Sequence, residues 1–324
     1  MQMPEDELFM HRCVQLAALG LGKVQPNPMV GAVIVHKNQI IGEGYHHQYG
    51  QPHAEVNALA SVHDPSLLKE STLYVSLEPC SHFGKTPPCA DAIIKRGIPK
   101  VVVGTTDPHD KVNGNGIRKL KDAGIEVIEH VCEEECRELN KRFFTYHKHR
   151  RPYIILKWAQ TADGFMDIDR SNTDVPQNYW ITNPALRVIV HKWRSEEDAV
   201  LVGYNTVLND KPQLTTRLYP GKSPKRYVLS KGPGEVSEGY YGALSMDLSE
   251  AMEELYVQKI QSVIVEGGRK TLDRFLEHGL WDEARVLVGA QKWGKGMKAP
   301  QIPLPPQNVQ HINDNQILYV RRHL

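Results

Sequence analysis

Residues 72–97 read "TLYVSLEPCSHFGKTPPCADAIIKRG". "TLYVSL" has the β-branched and apolar content of a buried strand, a proline-rich loop follows, and helical spacing takes over from about Cys89 to Arg96. A strand, a loop and a helix in that order are the repeating unit of a layered α/β domain. Two cysteines, Cys80 and Cys89, bracket the loop, and upstream "HAEVNAL" (53–59) sets His53 and Glu55 two apart at the start of a helix predicted over about His53 to Val62.

Zinc favours nitrogen and sulfur ligands, and a catalytic zinc keeps three protein ligands with one open position. His53, Cys80 and Cys89 supply that set if the loop folds back onto the His53 helix. His53 and Cys89 then both lie at helix N-termini, where unpaired N–H groups and the helix dipole favour a thiolate. Glu55 is suited to take a proton from water at such a site and pass it to a leaving nitrogen. H-x-E followed by P-C-x-x-C marks zinc-dependent base deaminases; here eight residues separate Cys80 from Cys89. A purely structural zinc site would leave Glu55 without a task.

Outward from this stretch the alternation continues. "DELFMHRCVQLAALG" (6–20) is helical, and "MVGAVIVHKNQIIGEGY" (29–45) reads as two strands around a Lys37-Asn38 turn. "KVVVGT" is a strand, "GNGIRKLKDAG" a helix ended by Gly124, "IEVIEH" a strand, and Cys132 to Tyr146 one helix. Cys132 and Cys136, four apart on that helix, have no nearby motif to complete a metal site and read as ordinary helix residues.

The basic run "YHKHRRPY" (146–153) reads as a solvated linker between domains over 1–147 and 152–324. Beyond it, strands are expected at "YIILKWAQ", "DAVLVG", "KRYVLS", "SVIVEGG" and "EARVLVG". Helices are expected at about Pro184 to Trp193, at "SEAMEELYVQ" and through "TLDRFLEHG". The length of 324 residues suits two cores. Lys plus Arg (39) nearly balances Asp plus Glu (38), so no global field draws nucleic acid or an anionic membrane. The acidic N-terminus is neither a signal nor a transit peptide, no apolar run reaches membrane-spanning length, and five cysteines, an odd number, argue against a disulfide framework. The expectation is a cytoplasmic protein with no membrane partner.

"PNPMVGAVIV", "HAE" and "PCSHFGKTPPC" together resemble the deaminase domain of the bifunctional riboflavin-biosynthesis deaminase-reductases. The resemblance implies an N-terminal cytidine-deaminase-like three-layer domain. His53, Cys80 and Cys89 would bind Zn2+ with Glu55 as the catalytic proton carrier, and Asn27, His82, Lys85 and Asp107 would contact a pyrimidine ribosylamine phosphate. "DPHDKVNGNG" departs from the family in having His109 where Asn usually follows Asp-Pro.

The second half is similar to the family's reductase domain, through "LKWAQTADG", "YWIT", "RSEEDAVLVGYNTVLNDKPQLTTR", "VIVEGG" and "GKGMKAP" in order. This implies a dihydrofolate-reductase-like α/β domain. NADPH would lie against Ala159, Trp180, Thr206, Asp210 and Gly268. The substrate would lie against Asn178, Arg194, Leu214, Arg217 and Glu266, with Lys157 and Thr182 close by. Taken alone, Trp180 reads as a core residue, the glycine pair as a turn and either arginine as a surface ion pair; together Arg194 and Arg217 are suited to grip a phosphate. Asn178 and Asn205 replace the serine and glycine usual at their positions. Between "KRYVLS" and "SVIVEGG" the chain is shorter than the family's and shows no clear apolar strand.

The reading is therefore an enzyme of riboflavin synthesis. It would remove the 2-amino group of a diaminopyrimidine ribosylamine phosphate, then use NADPH to reduce ribosyl to ribityl. Its rivals are a deaminase whose shortened second domain reduces nothing, and a nucleic-acid deaminase using "HKHRR", which the balanced charge disfavours. By resemblance the chain forms a homo-oligomer.

Overall fold

The computed structural model describes residues 4–81, 87–108, 114–168, 180–230 and 239–322. The chain divides into two compact units, Met1–His149 and Arg150–Leu324.

The first unit runs α1 (Glu5–Ala18), β1 (Gly31–His36), β2 (Gln39–Tyr45), α2 (Ala54–Ala60), β3 (Thr72–Val75), α3 (Cys89–Arg96), β4 (Lys100–Val103), α4 (Asn115–Asp122), β5 (Glu126–Ile128), α5 (Glu133–Leu139) and α6 (Lys141–His149). Its five strands take the order β2-β1-β3-β4-β5, antiparallel between β2, β1 and β3 and parallel thereafter. Side chains alternate across each strand. Ala32, Ile34, Leu73, Val75, Val101 and Val103 therefore meet α2, α3 and α4 on one face. Val33, Val35, Tyr74 and Val102 meet α1 and Cys136 on the other. This is a three-layer sandwich.

Lys37 and Asn38 turn the first hairpin with φ of 50° and 62°, the twist that matches the flanking strands. Gly44 lets α2 lie on β2, since a Cβ there would fall 2.3 Å from the Ala58 nitrogen. The single helix expected from Cys132 to Tyr146 is two. Between α5 and α6 the Asn140 side chain turns inward, accepting from the Met29 N–H and donating to the Met29 carbonyl, both at 2.8 Å.

The second unit runs β6 (Tyr153–Thr161), β7 (Phe165–Asp167), α7 (Pro184–Glu196), β8 (Ala199–Gly203), α8 (Tyr204–Asp210), β9 (Lys225–Ser230), β10 (Gly242–Ser245), α9 (Leu248–Val257), β11 (Ser262–Val265), α10 (Arg269–Glu277), β12 (Glu283–Gly289), β13 (Met297–Lys298), β14 (Asn308–Ile312) and β15 (Asn315–Arg321). The main sheet has the order β10-β9-β8-β11-β6-β12-β15-β14. It is parallel from β10 to β12 and closes on an antiparallel hairpin. Helices α9 and α10 cover one face and α7 the other.

Two expectations need correction. The shortened segment does hold a strand, β10, paired in parallel with β9. It escapes the sequence because it is a four-residue edge strand with only Leu244 buried. The basic run is not all solvated linker: His147 to His149 end α6, and Arg151 donates to both carboxylate oxygens of buried Asp282 at 2.6 and 2.8 Å. Among the described residues no helix is long and apolar enough to cross a membrane.

Candidate functional site

In the first unit His53 Nδ1 lies 3.3 Å from Cys89 Sγ and 3.6 Å from Cys80 Sγ. The three ligand atoms all fall within 4.8 Å of one another. Each arrives by a different route. His53 is the residue before α2, in extended conformation, Cys89 opens α3, and Cys80 follows β3. The Cys89 N–H donates to Cys80 Sγ at 3.3 Å and the Ala90 N–H to the Cys80 carbonyl at 3.2 Å, which holds Cys80 against the start of α3. Hydrogen bonding with Cys89 holds the Cys80 thiol down, so Cys80 deprotonates first. One imidazole and two thiols converging, with no fourth protein ligand among the described residues, fit a zinc with an open position.

Glu55, one residue into α2, is 3% exposed. Burial, with Cys80 second, raises its carboxyl to about 7, and it reaches Cys89 by a side-chain hydrogen bond. Cys132 and Cys136 belong to no such cluster among the described residues.

A second carboxylate frames this centre. Glu78, two residues before Cys80, accepts the backbone N–H groups of Asp107 (3.2 Å), Gly114 (2.9 Å), Gly116 (2.8 Å) and Ile117 (3.3 Å). The approach is close enough that a Cβ on Gly116 would sit 1.9 Å from the Pro79 carbonyl oxygen. Glu78 thus fixes Asp107 and the Cys80 loop together.

Asn27 is joined to the centre through His46, a 3% exposed residue whose ring lies edge-on to His53 at 5.4 Å. His46 Nδ1 faces the Pro52 carbonyl at 3.1 Å and Nε2 faces Asn27 Nδ2 at 3.1 Å. A carbonyl only accepts, so Nδ1 carries the ring proton, Nε2 keeps its lone pair, and the Asn27 amide must donate to it. Burial lowers the His46 pKa, consistent with a neutral ring. His82, Lys85 and His109 lie outside the described residues.

The second unit gathers its candidates at the carboxyl ends of β6, β8 and β11, the edge where open α/β sheets take ligands. Glu266 directly follows β11. Arg194 of α7 donates to its two oxygens at 2.7 and 2.8 Å, and Lys157 of β6 adds a third bond at 3.2 Å. Burial alone would push the Glu266 carboxyl up, but Arg194 and then Lys157 hold it well below the usual carboxylate range. Arg194 also donates to the Thr215 carbonyl at 3.2 Å. The two arginines are therefore not an equivalent pair. Arg194 is clamped on Glu266, whereas Arg217 is exposed, with one long bond to Thr215 Oγ1 at 3.5 Å.

Thr206, in the first turn of α8, accepts the Gly268 N–H at 3.0 Å and so ties α8 to the start of α10. A Cβ on Gly267 would lie 3.0 Å from the Gly203 nitrogen, so the turns after β8 and β11 abut. Asp210 ends α8, Leu214 is buried beside Val207, and Ala159 is half-buried on β6. Trp180 is not a core residue: it is 57% exposed, with the Arg187 guanidinium 4.5 Å above its ring. An exposed indole near one end of the sheet, and abutting glycine turns leading into a helix N-terminus, suit the ring and phosphates of a dinucleotide. Asn178 lies outside the described residues. His46, Arg187 and His191 carry no local signal in the sequence, and Glu78 enters there only as part of Glu78-Pro79-Cys80, yet each touches or adjoins these groups.

Two family models match the chain: the cytidine and deoxycytidylate deaminase zinc-binding region over residues 3–105 and the RibD C-terminal domain over 152–315. Riboflavin biosynthesis protein RibD of Aquifex aeolicus is 38% identical over 98% of this chain and 99% of its own length. A solved Thermotoga maritima structure, described as a diaminohydroxyphosphoribosylaminopyrimidine deaminase/5-amino-6-(5-phosphoribosylamino)uracil reductase, aligns with a TM-score of 0.85 at 38% identity over 98% of each chain. Acinetobacter baumannii RibD aligns with a TM-score of 0.88 at 32% identity, again over 98% of each. The two architectures are accordingly a cytidine-deaminase-like domain and a dihydrofolate-reductase-like domain.

Proposed function

The chain belongs to the RibD family of bifunctional riboflavin-biosynthesis enzymes, with a zinc-binding deaminase domain and a reductase domain in one polypeptide, and on that premise we propose how its residues divide the work. The deaminase half hydrolyses the 2-amino group of a 2,5-diamino-6-(ribosylamino)pyrimidinone phosphate, and the reductase half converts the ribosyl group to ribityl. Zinc, held by His53, Cys80 and Cys89, supplies the Lewis acidity that makes water a nucleophile at neutral pH, and NADPH supplies the hydride.

Glu55 moves the protons. Buried beside the metal ligands, Glu55 can take a proton from the attacking water on one oxygen and return it to the departing amino nitrogen, so that ring C–NH2 and water become ring C=O and ammonia. Asn27, its amide nitrogen held by His46, presents Oδ1 as an acceptor for an N–H on the pyrimidine edge. Asp107, pinned by Glu78, completes the described part of this substrate set.

In the reductase half Glu266 and Lys157 face the substrate and Arg194 keeps Glu266 ionised and in place, while Trp180, Ala159, Thr206, Asp210 and the Gly268 turn hold NADPH. The partners are small molecules. The net charge of +1 supports the absence of a nucleic-acid partner, and the five free cysteines support a reducing, cytoplasmic setting. Family resemblance supports a homo-oligomer.

The observation that carries the reading is the convergence of His53, Cys80 and Cys89 beside buried Glu55. The test is to incubate purified protein with the diaminopyrimidine phosphate, with and without NADPH, following ammonia release and NADPH oxidation in parallel, with Glu55→Ala as control. Ammonia release lost in the variant and NADPH consumed by the wild type is the expected result. Ammonia without NADPH oxidation would sink the reductase half, and no ammonia would sink the deaminase.

A further inference from the structure

His191 lies on α7 one turn before Arg194 and is 4% exposed. Its Nδ1 accepts the backbone N–H of Leu218 at 3.4 Å. A backbone amide only donates, so Nδ1 must keep its lone pair and the ring proton must sit on Nε2. This is the opposite tautomer to that of His46, and the backbone imposes both. Protonating Nδ1 as well would set two donors against each other. Burial, then the charges of Arg194 and Arg217, push the imidazole down to about 4, so the ring is neutral at neutral pH.

The surroundings say what an Nε2–H would meet. Among the described residues, the charges that act most on His191 are the cations Arg194, Arg217 and Lys157, opposed by the Glu266 carboxylate. That carboxylate is already gripped by Arg194 and Lys157. The imbalance favours an anionic ligand. Arg194 has its Nε and one Nη on Glu266 and the other Nη on the Thr215 carbonyl. The segment carrying Arg217 is the one His191 fastens, since Leu218 is the next residue.

We propose that His191 is a substrate-binding residue of the reductase half, donating its Nε2–H beside Arg217 to the phosphate monoester of the pyrimidine substrate, while Arg194 acts as a positioning residue for Glu266. The inference rests on the reductase reading above. A neutral donor adds a hydrogen bond to the phosphate without adding a fourth positive charge to the site.

Two amide substitutions separate binding from mere loop support. In His191→Asn the amide oxygen still accepts from Leu218, but nothing reaches the Nε2 position. In His191→Gln the amide nitrogen reaches the Nε2 position, but nothing replaces Nδ1. The measurement is kcat/KM of the full-length protein for NADPH oxidation with the deaminated ribosylamino-pyrimidine, as its phosphate and as its dephosphorylated counterpart. His191→Asn is expected to cut the preference for the phosphorylated substrate about tenfold, mainly through KM, with His191→Gln keeping most of it. The reverse pattern, Asn retaining and Gln losing the preference, or no change in either, would overturn the proposal. If the wild type oxidises NADPH on neither substrate, the reductase reading fails. Calorimetry with inorganic phosphate on the same proteins then decides the inference, where about tenfold weaker binding by His191→Asn alone supports it and equal binding overturns it.

Discussion

Arg194 holds Glu266 by both carboxylate oxygens, at 2.7 and 2.8 Å, in a site where both side chains are almost entirely buried. Removing Arg194 leaves the buried Glu266 carboxylate with Lys157 as its one remaining cation, and breaking a buried ion pair costs about 3–5 kcal/mol. Arg194→Leu should therefore destabilise the second unit by about 3 kcal/mol and suppress NADPH oxidation. All five tryptophans lie in this unit, so indole fluorescence during urea unfolding reports it alone. An unshifted transition would sink the argument.

The same pair sets a pH dependence. The folded Glu266 carboxyl is held below its usual value near 4.5. Its contribution is complete above that value and is lost as pH falls through it toward the lower folded value. Unfolding midpoints of wild type should fall on acidification below about 4.5 more steeply than those of Glu266→Gln, which has no proton to take up there. Parallel curves would show that Glu266 is not the group responsible.

Glu55 and Cys89 should fail in different ways. Glu55→Ala keeps all three metal ligands, so zinc measured by atomic emission stays bound while ammonia release falls by about 10²–10⁴. Cys89→Ser removes a ligand, and zinc and ammonia release are lost together. Chelator treatment of wild type should likewise abolish ammonia release yet leave NADPH oxidation on the deaminated substrate. Zinc lost from Glu55→Ala would mean that Glu55 is a ligand and not a proton carrier.

Asn27→Asp is nearly isosteric, yet it sets an acceptor against the His46 Nε2 lone pair that now receives an N–H at 3.1 Å. A lost bond with an acceptor left facing an acceptor costs about 1–3 kcal/mol, so kcat/KM for ammonia release should drop about tenfold to a hundredfold. Wild-type kinetics in this variant would show that the amide is oriented the other way.

Glu78→Ala leaves four backbone N–H groups without the oxygens that now accept them. Even partial exposure to water leaves a cost of about 3 kcal/mol. Thermal unfolding followed by far-ultraviolet circular dichroism, with zinc content measured alongside, should show a less stable first unit that retains less metal. Full zinc retention at unchanged stability would remove Glu78 from the architecture of the site.

Much of this was readable in the chain. The Lys37-Asn38 hairpin and the helix from Cys89 to Arg96 follow from local signals, a polar turn pair between alternating apolar runs and a proline before helical spacing. His53, Cys80, Cys89 and Glu55 stood out because metal chemistry restricts the residue types allowed. What stayed hidden depends on partners far away in sequence. Asn140 breaks a helix because Met29, 111 residues earlier, needs its amide. What Glu78 clamps stays hidden until Asp107, Gly114, Gly116 and Ile117 close on it. His46 sits in "GYHHQYG" beside a second histidine with nothing local to tell them apart. The edge strands β10 and β14 lack a long alternating apolar run because one side of each is open.

The reach of Glu78 also bears on how the protein is made. By the time Cys89 has been synthesised, the three metal ligands found among the described residues exist, but the amides that clamp Glu78 come from Asp107, Gly114, Gly116 and Ile117 and have yet to be added. A nascent chain at that stage offers zinc two thiols and an imidazole on an unanchored loop. The strand end that leads to Cys80 is thus braced by amides synthesised only after the last of these ligands.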